Sequence, residues 1–149
     1  MIKKITIWFL YLSILSIQLL NAEEIFLSLK KNKTNVRYGP SFDSKIKYIY
    51  NKKNLPIKQI DIKDNFRRIV DIKNNSGWIH VSQLKKSNSI ITLENKILFK
   101  KPSKFSKPIA RLENGRLLVV KKCEKKWCKI TTHNYVGWIK AENIWGYVK

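Results

Sequence analysis

Two histidines, two cysteines and ten carboxylates hold most of the reactive potential of this 149-residue sequence. Nucleophilic hydrolysis needs a Ser or Cys beside a base that a third group orients. His80 and His133 are the imidazoles available, and no shared motif surrounds them. Cys123 and Cys128 lie five apart, so each has a partner and neither reads as a reactive thiolate. The carboxylates are scattered, and no spaced pair recurs. A zinc site takes three or four ligands, and Cys123, Cys128 and His133 offer three at most. In an oxidising compartment an isolated even pair reads as a disulfide, with zinc as the alternative. The expectation is a noncatalytic protein with no cofactor and no metal.

The compartment is legible at the start of the chain. Lys3 and Lys4 form a positive end, Ile5 to Leu20 carries no charge, and Asn21-Ala22 precedes Glu23-Glu24. This series reads as a secretory signal peptide over residues 1–22, cleaved after Ala22. Sixteen apolar-run residues are short for a spanning helix, which needs about 20. The alternative is a retained N-terminal anchor, because Leu20 is bulky for its place before the cut. A periplasmic or otherwise exported location follows.

Charge narrows the partners. The formal net charge is +21, and removing Lys3 and Lys4 with the leader leaves +19. Residues 23–84 hold 13 basic and six acidic side chains, and residues 85–149 hold 16 and four. Charge of this size attracts polyanions. Export points away from nucleic acid and toward anionic envelope polymers, with a membrane as partner only if the leader is uncleaved. The excess of 26 Lys over five Arg, with abundant Ile and Asn, also fits AT-rich codon usage. The electrostatic consequence holds under either origin.

The elements that must position any site come in a repeat. Gly77-Trp78-Ile79-His80 recurs as Gly137-Trp138-Ile139-Lys140, at a spacing of 60. Phe66 to Ile69 is answered by Trp127 to Ile130, Leu55 to Lys58 by Leu117 to Val120, and Pro40-Ser41 by Pro102-Ser103. The units are a first domain over 23–84 and a second over 89–149, with Lys85 to Asn88 as a polar linker. Short β-branched runs dominate both: Ile46 to Tyr50, Leu55 to Ile60, Phe66 to Ile72 and Gly77 to Val81, then Ile90 to Leu93, Ile109 to Leu112, Leu117 to Lys122, Trp127 to Thr132 and Gly137 to Ile139. Turn residues separate them, among them Asn51 to Asn54, Asp61 to Asn65, Lys73 to Ser76 and Glu124 to Lys126. About five strands in 60 residues are too few for a sandwich and enough for a small closed barrel. The predicted fold class is all-β, two small barrels in tandem.

Val36-Arg37-Tyr38-Gly39-Pro40-Ser41, an aromatic followed by Arg-Arg-Ile, and Gly77-Trp78-Ile79 are similar to the bacterial SH3-like (SH3b) domain. The second unit resembles its partner in tandem exported proteins of alphaproteobacterial type. Its Cys123, Trp127-Cys128, Gly137-Trp138-Ile139 and Ile144-Trp145-Gly146 carry that likeness. The second unit departs at Leu98-Phe99-Lys100-Lys101-Pro102-Ser103, which lacks the Arg and the Gly. The resemblance implies wall association: recognition of peptidoglycan or another envelope component, or of a periplasmic protein. An accessory regulator of a cell-wall hydrolase is the alternative.

A small barrel binds through a groove between loops, with aromatic faces for stacking and cations for carboxylates or phosphates. The ligand candidates are Arg37, Tyr38, Phe42 and Tyr48, with Trp78 at the bordering strand; the second unit offers Phe99, Phe105, Trp138 and Trp145. Trp78 and Trp138 can equally be core, and Trp138 is assigned a structural role with Gly39, Pro40, Gly77 and Gly137. Arg37 either meets ligand or braces its loop by donating to carbonyls. N-terminal sequencing of the exported protein is expected to begin at Glu23; a chain that keeps Met1 and extracts with membranes shows the anchor instead.

Overall fold

The computed structural model describes residues 23–146, and the expected signal peptide lies outside these residues. The fold is all-β. The first barrel has β1 (Ile25–Leu29), β2 (Thr34–Arg37), β3 (Ile46–Tyr50), β4 (Pro56–Lys63), β5 (Phe66–Val70), β6 (Ser76–His80), a 3₁₀ turn (Val81–Gln83) and β7 (Leu84–Lys86). The second has β8 (Ser89–Thr92), β9 (Lys96–Phe99), β10 (Pro108–Leu112), β11 (Leu117–Glu124), β12 (Trp127–Thr132), β13 (Tyr135–Lys140) and β14 (Ile144–Trp145). The sheet orders are β3-β2-β6-β5-β4-β1-β7 and β10-β9-β13-β12-β11-β8-β14, all antiparallel. The second order is the first shifted by seven strands, so the sequence repeat is a repeat of topology. Among the described residues no helix is long and apolar enough to cross a membrane.

Alternation sets each core. Leu29, Val36, Ile57, Ile69, Ile79 and Leu84 fill the first barrel. Ile90, Leu98, Leu112, Leu118, Val120, Cys128, Ile130 and Ile139 fill the second. Strand β12 shows the pattern plainly, with Cys128, Ile130 and Thr132 inward and the residues between them half-exposed. The expected runs reappear as strands, while β1, β2, β7, β9 and β14 are additional to them. Lys85 and Lys86, expected in a linker, belong to β7 and pair with β1. Backbone hydrogen bonding, which leaves no apolar signature, makes that strand.

Two-residue turns tighten the hairpins more than the expected turn segments suggest. Strand β4 runs to Lys63 and turns at Asp64, where φ is 49°; β11 runs to Glu124 and turns at Lys125, where φ is 52°. The second turn sets Cys123 directly opposite Cys128. The pair is disulfide-bonded, with 4.0 Å between Cα atoms. Closing so short a loop contributes about 2 kcal/mol in the chain-entropy estimate and locks the register of β11 on β12.

The barrels are joined by a polar and aromatic seam. Strand β8 is buried along its whole length, since one face meets its own core and the other meets the first barrel. Ser28 and Ser89 hydroxyls share a hydrogen bond of 2.7 Å, and Ser89 also donates to the Asn54 carbonyl. Trp145, expected among groove aromatics, lies here: its indole N–H donates to the Pro56 carbonyl at 3.1 Å and its ring meets Phe26 edge-on at 5.2 Å. Gly146, at φ 108°, follows because a Cβ there would lie 2.6 Å from the Ser89 carbonyl oxygen. Trp145→Ala is expected to cost about 3 kcal/mol and to split one calorimetric unfolding transition into two.

Candidate functional site

Strand β2 ends at Arg37, which is in register with Trp78 of β6, and residues 38–45 then loop back into β3. Turn hydrogen bonds shape this loop: Tyr38 N–H to Lys45 O (3.1 Å), Ser44 N–H to Ser41 O (3.2 Å) and Asp43 N–H to the Ser41 hydroxyl (3.1 Å). Arg37 braces it from beneath. Its Nη1 donates to the carbonyls of Phe42 at 2.9 Å and Ser44 at 2.7 Å. Of the two readings open to Arg37, the structure shows the brace. A guanidinium held against two carbonyls favours a fixed loop, because its rigid donors lose little freedom per bond.

The brace holds an aromatic platform. The Phe42 ring, 62% exposed, lies 5.3 Å from Phe66 and 4.8 Å from His80, and those two are 5.1 Å apart. The Arg37 guanidinium sits 5.6 Å from the Phe42 centroid. Phe66 and His80 are cross-strand partners on β5 and β6, which is why they share a face. His80 Nδ1 accepts from the Ser82 N–H at 3.3 Å and lies 2.8 Å from the Ser82 hydroxyl. Tyr38, on the same loop, is 66% exposed beneath Lys47 Nζ at 5.6 Å. An exposed aromatic pair, an imidazole and flanking cations can stack on a sugar ring or a peptide and draw in a carboxylate or phosphate.

Of the other candidates, Trp78 is paired with Arg37 across β6 and β2, and the rest fall elsewhere. Tyr48 is half-buried against the first core, and Trp78 is half-buried in β6. Gly77 and Gly137 are packing positions: a Cβ at 77 would stand 2.4 Å from Val36 Cγ1, and one at 137 would stand 2.7 Å from the Phe99 carbonyl oxygen. At Gly39 a Cβ would meet the Ser44 hydroxyl at 2.7 Å, a side-chain end that can move aside. Trp138 is buried, with Lys122 Nζ 5.5 Å from its ring. Sequence reasoning missed Phe66 and His80. Phe66 stood only as a repeat anchor, and hairpin register was the signal that could have joined it to His80.

The second barrel repeats the loop and not the platform. Lys100 N–H to Lys107 O (3.0 Å), Ser106 N–H to Ser103 O (3.1 Å) and Phe105 N–H to the Ser103 hydroxyl (3.2 Å) reproduce the turn of residues 38–45. This register puts Phe99 at the place of Arg37, Lys100 at Tyr38, Lys104 at Phe42 and Phe105 at Asp43. Phe105, expected to be the counterpart of Phe42, is therefore one residue removed from it. Phe99 packs on Trp127 at 5.7 Å and makes no brace.

A family model for the bacterial SH3 domain matches the chain twice, over residues 30–86 and 94–146. The chain belongs to the bacterial SH3 domain family. Two solved structures are also similar to it, NlpC2 and NlpC1 from Trichomonas vaginalis, at 12% and 13% identity and a TM-score of 0.37 each. They are matched over 83% and 84% of this chain, which spans 48% and 46% of their own lengths. No curated protein matches. Membership of this family supports a cell-wall-related binding module.

A polar network secures the bacterial SH3 fold behind the loop. The Asp71 carboxylate accepts from Tyr50 Oη (2.9 Å), Lys73 N–H (2.9 Å), Asn75 N–H (2.9 Å) and Asn75 Nδ2 (3.0 Å), and Tyr48 and Tyr50 hydroxyls lie 3.3 Å apart. Burial opposes the ionisation of Asp71, but these donors outweigh it and hold the carboxyl below its ordinary value. Burial, then the bonds to Tyr48 and Asp71, push the Tyr50 hydroxyl well above its ordinary value. Among the described residues no three His, Cys, Asp or Glu side chains gather as a metal site. A depressed folded pKa contributes stability that is complete above the unfolded value, about 3.9 for Asp, and is lost as pH falls through the folded value. Asp71→Asn is accordingly expected to lower stability at pH 7 by about 1–3 kcal/mol. The gap to wild type should narrow below about pH 4, read from urea midpoints measured across pH.

Proposed function

We propose that the chain is a noncatalytic exported module that attaches to the cell envelope, with peptidoglycan as the preferred ligand of its first domain, residues 23–84. The observation that carries this reading is the platform of Phe42 on Phe66 and His80, kept exposed by the Arg37 brace. An apolar ring costs exposure to water, and the brace prevents it from collapsing into the barrel. Tyr38 extends the stacking surface, and Lys47 supplies charge for wall carboxylates. The disulfide and the bacterial SH3 family both fit an exported protein.

Stacking and charge respond differently to salt, since screening acts over a Debye length of about 8 Å at physiological ionic strength and leaves ring contact untouched. Binding to purified sacculi is expected to weaken, without vanishing, as salt rises. Tyr38→Ala with Phe42→Ala should weaken it about tenfold at every salt concentration, with the circular dichroism spectrum of the folded protein unchanged. Loss of all binding at moderate salt, with indifference to the double variant, would leave only nonspecific charge attraction.

A further inference from the structure

The second barrel carries a surface that the peptidoglycan reading leaves unused. Between Glu94 and Glu113 there is no Asp or Glu, and the loop of residues 100–107 holds Lys100, Lys101, Lys104 and Lys107. All four lysines are exposed. Phe105 projects from their midst at 89% exposure, more than any other large apolar side chain among the described residues. Lys104 Nζ is 5.1 Å from the Phe105 centroid, and among the described residues no second ring or cation packs on that ring. An open depression of about 370 Å³ lies among Lys100, Lys101, Ser103, Phe105, Ser106 and Lys107.

The first barrel serves as an internal control. The two loops share their turn hydrogen bonds, so the backbone path does not explain the difference. Where the first loop has Tyr38, Phe42 and Asp43, the second has Lys100, Lys104 and Phe105. Two aromatics have become cations, and a carboxylate has become the exposed ring. The brace is gone too, because Phe99 stands at the Arg37 position and is packed on Trp127. Among the described residues the shifted aromatic has no ring to stack on in its own barrel. A ring ringed by cations on a protruding loop fits an interface that is apolar below and anionic at its surface.

We propose that the loop of residues 100–107 docks the second barrel on an anionic phospholipid bilayer, with Phe105 entering the acyl boundary and the four lysines pairing with headgroup phosphates. The contact is separate from residues 1–22 and from the platform on the first barrel. A wall glycan would answer the lysines equally well and would stack on the face of the Phe105 ring, whereas only a bilayer would take that ring into an apolar layer. That difference makes Phe105 the deciding residue.

The test uses the full chain with vesicles of phosphatidylcholine alone or mixed with phosphatidylglycerol, reading co-sedimentation and amide hydrogen exchange together. Exchange localises the contact, so any affinity of residues 1–22 is separated from that of the loop. Slowed exchange over residues 100–107 is expected with the mixed vesicles only. Each lysine changed to Gln should weaken that protection about fivefold, and Phe105→Ala about tenfold. Phe105→Trp should retain it, and Phe105→Asp, which restores the side chain of the first loop, should abolish it. Tyr38→Ala with Phe42→Ala should leave it unchanged. Equal protection on neutral vesicles, or indifference to Phe105, overturns the proposal. Lysine-dependent binding to sacculi without protection on vesicles overturns it in favour of a wall polymer.

Discussion

Each barrel closes where its sixth strand crosses its second, at a point with no space for a side chain. In the first barrel a Cβ on Gly77 would enter Val36 and stand 3.0 Å from the Arg37 carbonyl oxygen; in the second, one on Gly137 would strike Phe99 and Leu98. The close approach brings Arg37 opposite Trp78 and Phe99 opposite Trp138. The loops at that end follow from the crossing. It ends the second strand at a fixed height, sets the start of the loop, and aims the residue at that point either under the loop or across the hairpin.

What that residue is decides the character of the surface. A guanidinium can reach two carbonyls at once, so Arg37 stiffens a loop and presents Phe42 without burying it. A phenyl ring cannot donate, so Phe99 finds Trp127 and leaves its loop to be shaped by its own serines. One backbone design therefore yields an aromatic platform in one copy and a cationic loop in the other. The copies are equivalent in topology and divergent in chemistry.

The seam gives the two surfaces a fixed relation. Strand β8 satisfies its backbone within the second sheet and its side chains against both barrels, which is why a serine and a threonine on it are fully buried. Ser89 meets this constraint through Ser28 and the Asn54 carbonyl, and Trp145 through Pro56. Buried hydroxyls and an indole N–H need partners, so the seam specifies one docking geometry more sharply than an apolar contact would.

The sequence by itself determined the all-β class, the repeat, most strands and the Cys123–Cys128 pairing. These rest on local information: alternation within a strand, turn residues, and a short spacing between two cysteines. It also placed Tyr38 and Phe42 among turn residues and raised the brace as one role for Arg37. It did not bring Phe66 and His80 to Phe42, because that meeting depends on hairpin register summed across a 14-residue separation. The three-residue β7 and the two-residue β14 are too short to carry an alternation, and their pairing with β1 and β8 appears only in the sheets. Trp145 is an aromatic like the others until the second barrel is laid against the first. Local chemistry is written along the chain, whereas a site and a seam are made by residues whose proximity is decided when the sheets close.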